Sequence, residues 1–185
     1  MGADYRASSL SQLVDTGKKR GWVLYDEILA LLPPDWESGR EIDDILAALD
    51  RAEVEIREQP EILSDEQAYG TPADMDDPLG VYLREVNTVP PLTRESEIEL
   101  VKRIRRGGPE AEAARKTLVE ANLKPVIAIA RRHAPPGLYV MDLIVEGNSG
   151  LMMAVDTFDP TRGGKFSTHA RWWARHAVVR AASRD

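Results

Sequence analysis

The stretch Phe158–Arg180 reads FDPTRGGKFSTHARWWARHAVVR. Past Gly163-Gly164 it holds no strand alternation, and its alanines and valines recur at helical spacing, which predicts a helix over about 166–184. Stepping 100° per residue from Ala170, the side chains of Ala170, Ala174, Ala177, Val178 and Ala181 share one narrow face suited to close packing on another helix. Trp172, His176, Val179 and Ser183 fall on the opposite face, Arg175 borders it, and Trp173 lies at the edge of the packed face. A large aromatic turned away from the core and flanked by arginines suits stacking on an exposed nucleobase. The competing reading is that both tryptophans belong to the core and the arginines are merely solvated.

Upstream, the pattern is helical throughout. A helix over about 139–157 places Val140, Ile144, Leu151, Ala154, Val155 and Phe158 on one face. Asp142, Glu146, Ser149, Met153 and Asp156 lie opposite, with Val145 and Met152 at the border. Carboxylates among exposed methionine and valine suit docking of a basic helical partner; an ordinary solvated face is the alternative. Gly147 and Gly150 weaken this helix by up to ~1 kcal/mol each but admit another backbone closely. A long helix over 110–133 is interrupted by Pro125, and Pro135-Pro136-Gly137 forces a turn. Thr93 caps a helix that Gly107-Gly108-Pro109 ends, and a short helix spans about 78–86. Residues 8–58 read as a small helical module. Its first helix is capped at Ser8 or Ser9 and stopped by Gly21, a helical run over Val23–Leu32 ends at Pro33-Pro34, and a third helix spans Arg40–Ala52 with Ile42, Ile45, Leu46 and Leu49 on one face. Val54-Glu55-Ile56 reads as a short extended tail, and residues 59–76 as an acidic linker. The expected fold is all-α, with domains 1–58 and 77–185.

Charge divides the chain. Residues 1–80 hold 7 basic and 19 acidic side chains, net −12, whereas residues 81–185 hold 17 and 12, net +5. An acidic front joined to a basic back implies two partners, or one half screening the other. Cysteine is absent, no apolar run reaches membrane-span length and no leader is visible, so a cytoplasmic chain without disulfides is expected. His133, His169 and His176 lack metal-ligand spacing, phosphate loops and nucleophile elbows are missing, and the pairs Asp43-Asp44 and Asp76-Asp77 read as exposed, solvated charge. No enzyme activity, metal, cofactor or small-molecule substrate is expected.

Four segments carry a family resemblance: DPLGVYLREV (Asp77–Val86), EANLKPVIAIARRH (Glu120–His133), DLIVEGNSGLMMAVDTFD (Asp142–Asp159) and RGGKFSTHARWWARHAVVRA (Arg162–Ala181). Together they resemble the first conserved blocks of bacterial primary-type RNA polymerase sigma factors. Residues 10–58, with GKKRGWVLYDEI, resemble the family's acidic autoinhibitory N-terminal module. The resemblance implies that the helix at 142–157 docks on the clamp helices of the polymerase β′ subunit through Asp142, Val145, Glu146, Asn148, Met152 and Met153. It implies that 162–180 captures the unstacked non-template strand of the promoter minus-ten element. In that role Arg162, Phe166, Thr168, Trp172 and Trp173 would wedge the duplex or cradle a flipped base, and Lys165, Arg171, Arg175 and Arg180 would hold phosphates. His169, His176 and Val179 occupy base-facing positions, and Leu83 and Arg84 lie toward the discriminator DNA.

Departures from the family pattern bear on this. Gly164 and His169 stand where aromatics are usual, His176 replaces a glutamine, Val179 a threonine, Val145 a glutamine and Arg171 a small polar residue. The downstream helix-turn-helix domain that reads the minus-thirty-five element is not in the sequence. The expectation is therefore an N-terminal piece of a sigma factor or a naturally short relative, with residues 1–76 acting as a DNA mimic or gate. Two alternatives stay open: an interaction protein that occupies the polymerase clamp without supporting initiation, and an unrelated helical nucleic-acid binder.

Overall fold

A computed structural model describes residues 2–32, 39–58, 78–135 and 139–183. The expected linker 59–76, the stop at Pro33-Pro34 and most of the Pro135–Gly137 turn lie outside them. The chain forms two compact units, residues 1–62 with 159–165, and residues 63–158 with 166–185.

The first unit contains α1 (Gly2–Arg20), β1 (Trp22–Leu24), α2 (Tyr25–Leu29), α3 (Gly39–Arg51) and β2 (Glu55–Arg57). Because α1 already begins at Gly2, Ser8 and Ser9 are interior and cap nothing. Gly21 ends α1 as expected: at φ +83° its N–H reaches back to the Gly17 carbonyl at 2.7 Å, a left-handed stop that glycine makes without steric cost. Val23 then leaves the helical run to which its spacing assigned it. It sits in β1, which pairs in parallel with β2, Val23 opposite Ile56. The two three-residue strands are the one departure from all-α structure among the described residues. β2 overlaps the extended tail expected at Val54-Glu55-Ile56, whereas local periodicity could reveal neither β1 nor the pairing, because the two partners lie far apart in sequence. The α3 face is as expected, with Ile42, Ile45, Leu46 and Leu49 buried.

The second unit contains α4 (Pro78–Asn87), α5 (Arg94–Arg106), α6 (Pro109–Glu120), α7 (Leu123–His133), α8 (Val140–Thr157) and α9 (Phe166–Ala182). Thr93 caps α5, its Oγ1 accepting from the Ser96 N–H at 3.2 Å. Gly107 and Gly108, both at positive φ, turn the chain into α6 with Pro109 in its first turn. The expected 110–133 helix is two helices. The break falls at Ala121-Asn122 rather than at Pro125, where the Asn122 side chain donates to the Leu118 carbonyl at 2.8 Å. Pro125 then lies in the first turn of α7, where a missing N–H costs no helical hydrogen bond.

At the centre α8 and α9 pack directly on each other, with α7 against both. The pairing depends on absent side chains. A Cβ added to Gly150 would stand 2.4 Å from the Trp173 carbonyl oxygen, and one on Gly147 would stand 2.6 Å from Val126 Cγ1. Around this seam Leu118, Ile127, Leu143, Ile144, Leu151, Phe166 and Val178 are fully enclosed, each large aliphatic contributing about 1.5–3 kcal/mol relative to exposure.

Candidate functional site

The corner between α8 and α9 is held by α5. At the end of α8 the Phe158 carbonyl accepts from Arg105 Nη2 at 2.5 Å. At the start of α9 the Glu97 carboxylate accepts from the N–H groups of Phe166 at 3.0 Å and Ser167 at 3.2 Å. Glu97 is only 5% exposed and caps α9 from another helix, its charge favoured at that helix N-terminus. Spacing within α5 alone gives Glu97 no such role, because the groups it caps lie on another helix. The available signal was its place on the α5 face that also carries Leu100, Val101 and Ile104: a carboxylate in an apolar stripe.

The outward face of α8 is as its spacing predicts. Asp142, Val145, Glu146, Ser149, Met152, Met153 and Asp156 are all exposed, Val145 at 59%, Met152 at 39% and Met153 at 50%. Asp156 is tied to Arg115 of α6 at 2.5 Å, so one of the acids on this face is held in place. Asn148 is turned inward, its amide donating to the Tyr82 hydroxyl at 3.4 Å, while its Oδ1 is buried without a partner.

On α9 the structure separates residues that the wheel grouped. Arg171 and Arg180 are exposed, and Thr168, Trp173, His176 and Val179 are half-buried. Phe166, His169, Trp172 and Arg175 are buried. Trp172, placed on the outward face by the wheel, is 1% exposed. Trp172 is nonetheless not among the residues of the core that α9 shares with α8, α7 and α5, so the packed stripe of the helix does not account for its enclosure. Arg175 and His169 are drawn in with it. The same correction applies to α4, where Leu83 is buried and Arg84 exposed.

His169 is built into the interior. Its Nε2 lies 3.0 Å from Thr157 Oγ1, and its ring sits 5.3 Å from Phe158 and 6.3 Å from Trp173. Phe158 meets Phe166 edge-on at 5.4 Å, and Trp173 meets His176 edge-on at 6.3 Å, so a continuous aromatic row runs from Phe166 to His176. Burial, then the positive charges of Arg180 and Arg175, hold the His176 pKa below its ordinary 6.5.

The segment 159–165 lies within the first unit, against α3. Asp159 accepts from the Thr161 N–H at 3.0 Å and so starts the 3-10 turn Pro160–Arg162. Arg162 is ion-paired with Asp44 and lies 3.8 Å from Asp159. The Lys165 N–H donates to Asp50 at 2.7 Å, and Arg51 reaches the Arg162 carbonyl at 3.4 Å. A Cβ on Gly164 would stand in ordinary van der Waals contact with Ala47 at 3.5 Å. The expectation that Asp43-Asp44 is plain solvated charge is corrected: Asp43 is buried, and exposed Asp44 engages Arg162. Among the described residues no group of three or more His, Cys, Asp or Glu could hold a metal ion, and no helix is long and apolar enough to cross a membrane.

Comparison with known families matches residues 4–78 to Sigma-70 factor, region 1.1, residues 77–110 to Sigma-70 factor, region 1.2, and residues 118–185 to Sigma-70 region 2. The RNA polymerase sigma factor SigA of Clostridium acetobutylicum is 39% identical over 181 residues, covering 93% of this chain and 46% of that protein. The protein of the same name from Listeria monocytogenes is 38% identical over 185 residues, covering 91% and 49% respectively. The chain thus spans about half the length of the curated relatives it matches. Region by region, from the acidic module through the α5 brace to the paired α8 and α9, this chain belongs to the sigma-70 family of RNA polymerase sigma factors.

Proposed function

We propose that the chain acts in transcription initiation, docking on the β′ clamp helices of core RNA polymerase through the outward face of α8 and engaging the non-template strand of the promoter minus-ten element through α9. The observation that carries this reading is the α8 face itself. Val145, Met152 and Met153 stand exposed between Asp142, Glu146 and Asp156, a polarizable apolar centre with an acidic rim suited to a basic helical partner. Arg171 and Arg180 would hold phosphates, and Trp173 and Thr168, with His176 and Val179 beside them, would meet the bases. Opening a base pair costs a few kcal/mol, which stacking and a tight pocket offset. Run-off transcription from an extended minus-ten promoter, with core enzyme plus this chain, tests the reading. A transcript supports it, and absence of any association with core polymerase overturns it.

The acidic module would gate this activity. Asp44 occupies the Arg162 guanidinium and Asp50 the Lys165 N–H, so nucleic-acid phosphate competes with α3 for the same loop. A second reading, a clamp-occupying protein that does not support initiation, is favoured by one observation: Phe166, His169, Trp172 and Arg175 are buried, which leaves fewer side chains for a flipped base. Association with core polymerase without a transcript would select it.

A further inference from the structure

The character of α5 changes along its length. Its first turns carry Glu95, Glu97 and Glu99, and its end reads Lys102-Arg103-Ile104-Arg105-Arg106 with all four cations exposed. Basic residues at a helix C-terminus are favoured by the backbone dipole, and two of these have local tasks: Arg103 pairs with Glu99 at 3.2 Å, and Arg105 holds the Phe158 carbonyl. Lys102 and Arg106 have no partner among the described residues. One turn apart, they project from the same side of the helix.

Their position gives these two charges a use. Arg105 anchors the basic turn at the point where α8 ends, and Glu97, further back on the same helix, holds the first turn of α9. The free cations therefore border the corner from which α9 departs. Ile104 is half-buried, so the ridge offers charge without an apolar anchor. Protein interfaces centre on desolvated apolar or aromatic side chains, whereas phosphate contacts need only Lys or Arg.

We infer that the basic end of α5, centred on Lys102 and Arg106, is a second phosphate-binding surface that grips nucleic-acid backbone beside the segment engaged by α9. This rests on the proposed promoter-binding reading of α9. A backbone grip of this kind adds affinity and salt dependence but no sequence preference.

The test uses the full chain assembled with core polymerase. The probe is a fork-junction DNA with a duplex flank and a single-stranded minus-ten segment, and equilibrium binding is measured over a salt series. The double variant Lys102→Glu, Arg106→Glu should bind roughly tenfold more weakly at low salt and lose about 2 from the slope of log affinity against log salt. The ratio between minus-ten and scrambled strands should stay unchanged. Lys102→Gln, Arg106→Gln should move the same way by a smaller amount, which separates lost contacts from added repulsion. Trp173→Ala should instead lower the strand ratio and leave the slope alone; if it does not, the α9 reading fails by itself. An unchanged slope in both α5 variants overturns the inference. So does a loss of polymerase association with DNA binding intact, which would make the ridge a protein contact. If the wild-type assembly ignores the probe, both readings fall.

Discussion

Trp172 and Trp173 are neighbours in sequence with different fates. Trp172 is enclosed, so Trp172→Ala should cost about 3–5 kcal/mol of stability, as deletion of a buried indole does, read as an early midpoint in denaturant unfolding. Trp173 is half-buried in the aromatic row, between His169 and His176. Trp173→Ala should keep the fold and lose about 1–3 kcal/mol in strand binding, the range for one base–aromatic stack. His176 carries a pH signature. Its folded pKa lies below 6.5 because of burial and the adjacent arginines, so the unfolded chain takes up a proton first as pH falls. Stability from this residue is complete above 6.5 and drains away below it, toward the folded pKa. Thermal melts at pH 7.5 and 5.5 should therefore differ less in His176→Gln than in wild type. Glu97→Ala would strip two N–H groups of their acceptor at the start of α9 and should cost about 2 kcal/mol, while Glu97→Gln, which keeps an acceptor oxygen, should recover part of that loss. Of these side chains the sequence marked the tryptophans and His176 as site candidates but passed over Glu97, because the groups it serves lie 69 and 70 positions away.

At the scale of elements, the agreement between spacing and structure depends on how many neighbours a helix has. One face of α8 meets the bundle and the other meets solvent, and every residue assigned to its outward face is exposed. The same procedure failed for Trp172, which is enclosed without belonging to the core that α9 shares with α8, α7 and α5. The α6–α7 break shows a different limit. Proline was legible as a disturbance, but its position relative to the break depends on which turn it can occupy without losing a hydrogen bond. The α8–α9 seam gives the sharpest test. Gly150→Ala would drive a methyl against the Trp173 backbone oxygen, which a side-chain rotation cannot relieve. It should cost about 1–3 kcal/mol, measured by chemical denaturation, and shift the helix that carries Trp173.

At the scale of the whole molecule, the two proposed surfaces and the proposed gate make separable predictions. Glu146→Lys reverses an exposed charge on the α8 face and should weaken core-polymerase association about tenfold, ~1.4 kcal/mol, in a titration with labelled core enzyme, leaving the melting curve unchanged. Asp44→Asn with Asp50→Asn should release the 159–165 segment and raise DNA affinity several-fold at low salt, an effect that fades as salt screens the charges. Affinity that stays put would remove the gate. The sequence alone determined the helical class, the acidic-to-basic division, the outward face of α8 and the family, because periodicity, charge and motif order act over a few residues and survive in one dimension. Only the tertiary structure decided which indole is enclosed, that α5 clamps the α8–α9 corner from both sides, that two short strands pair, and that Asp44 meets Arg162 across 118 positions of chain. Each of these depends on a neighbour brought in from elsewhere, and no local pattern records who that neighbour is.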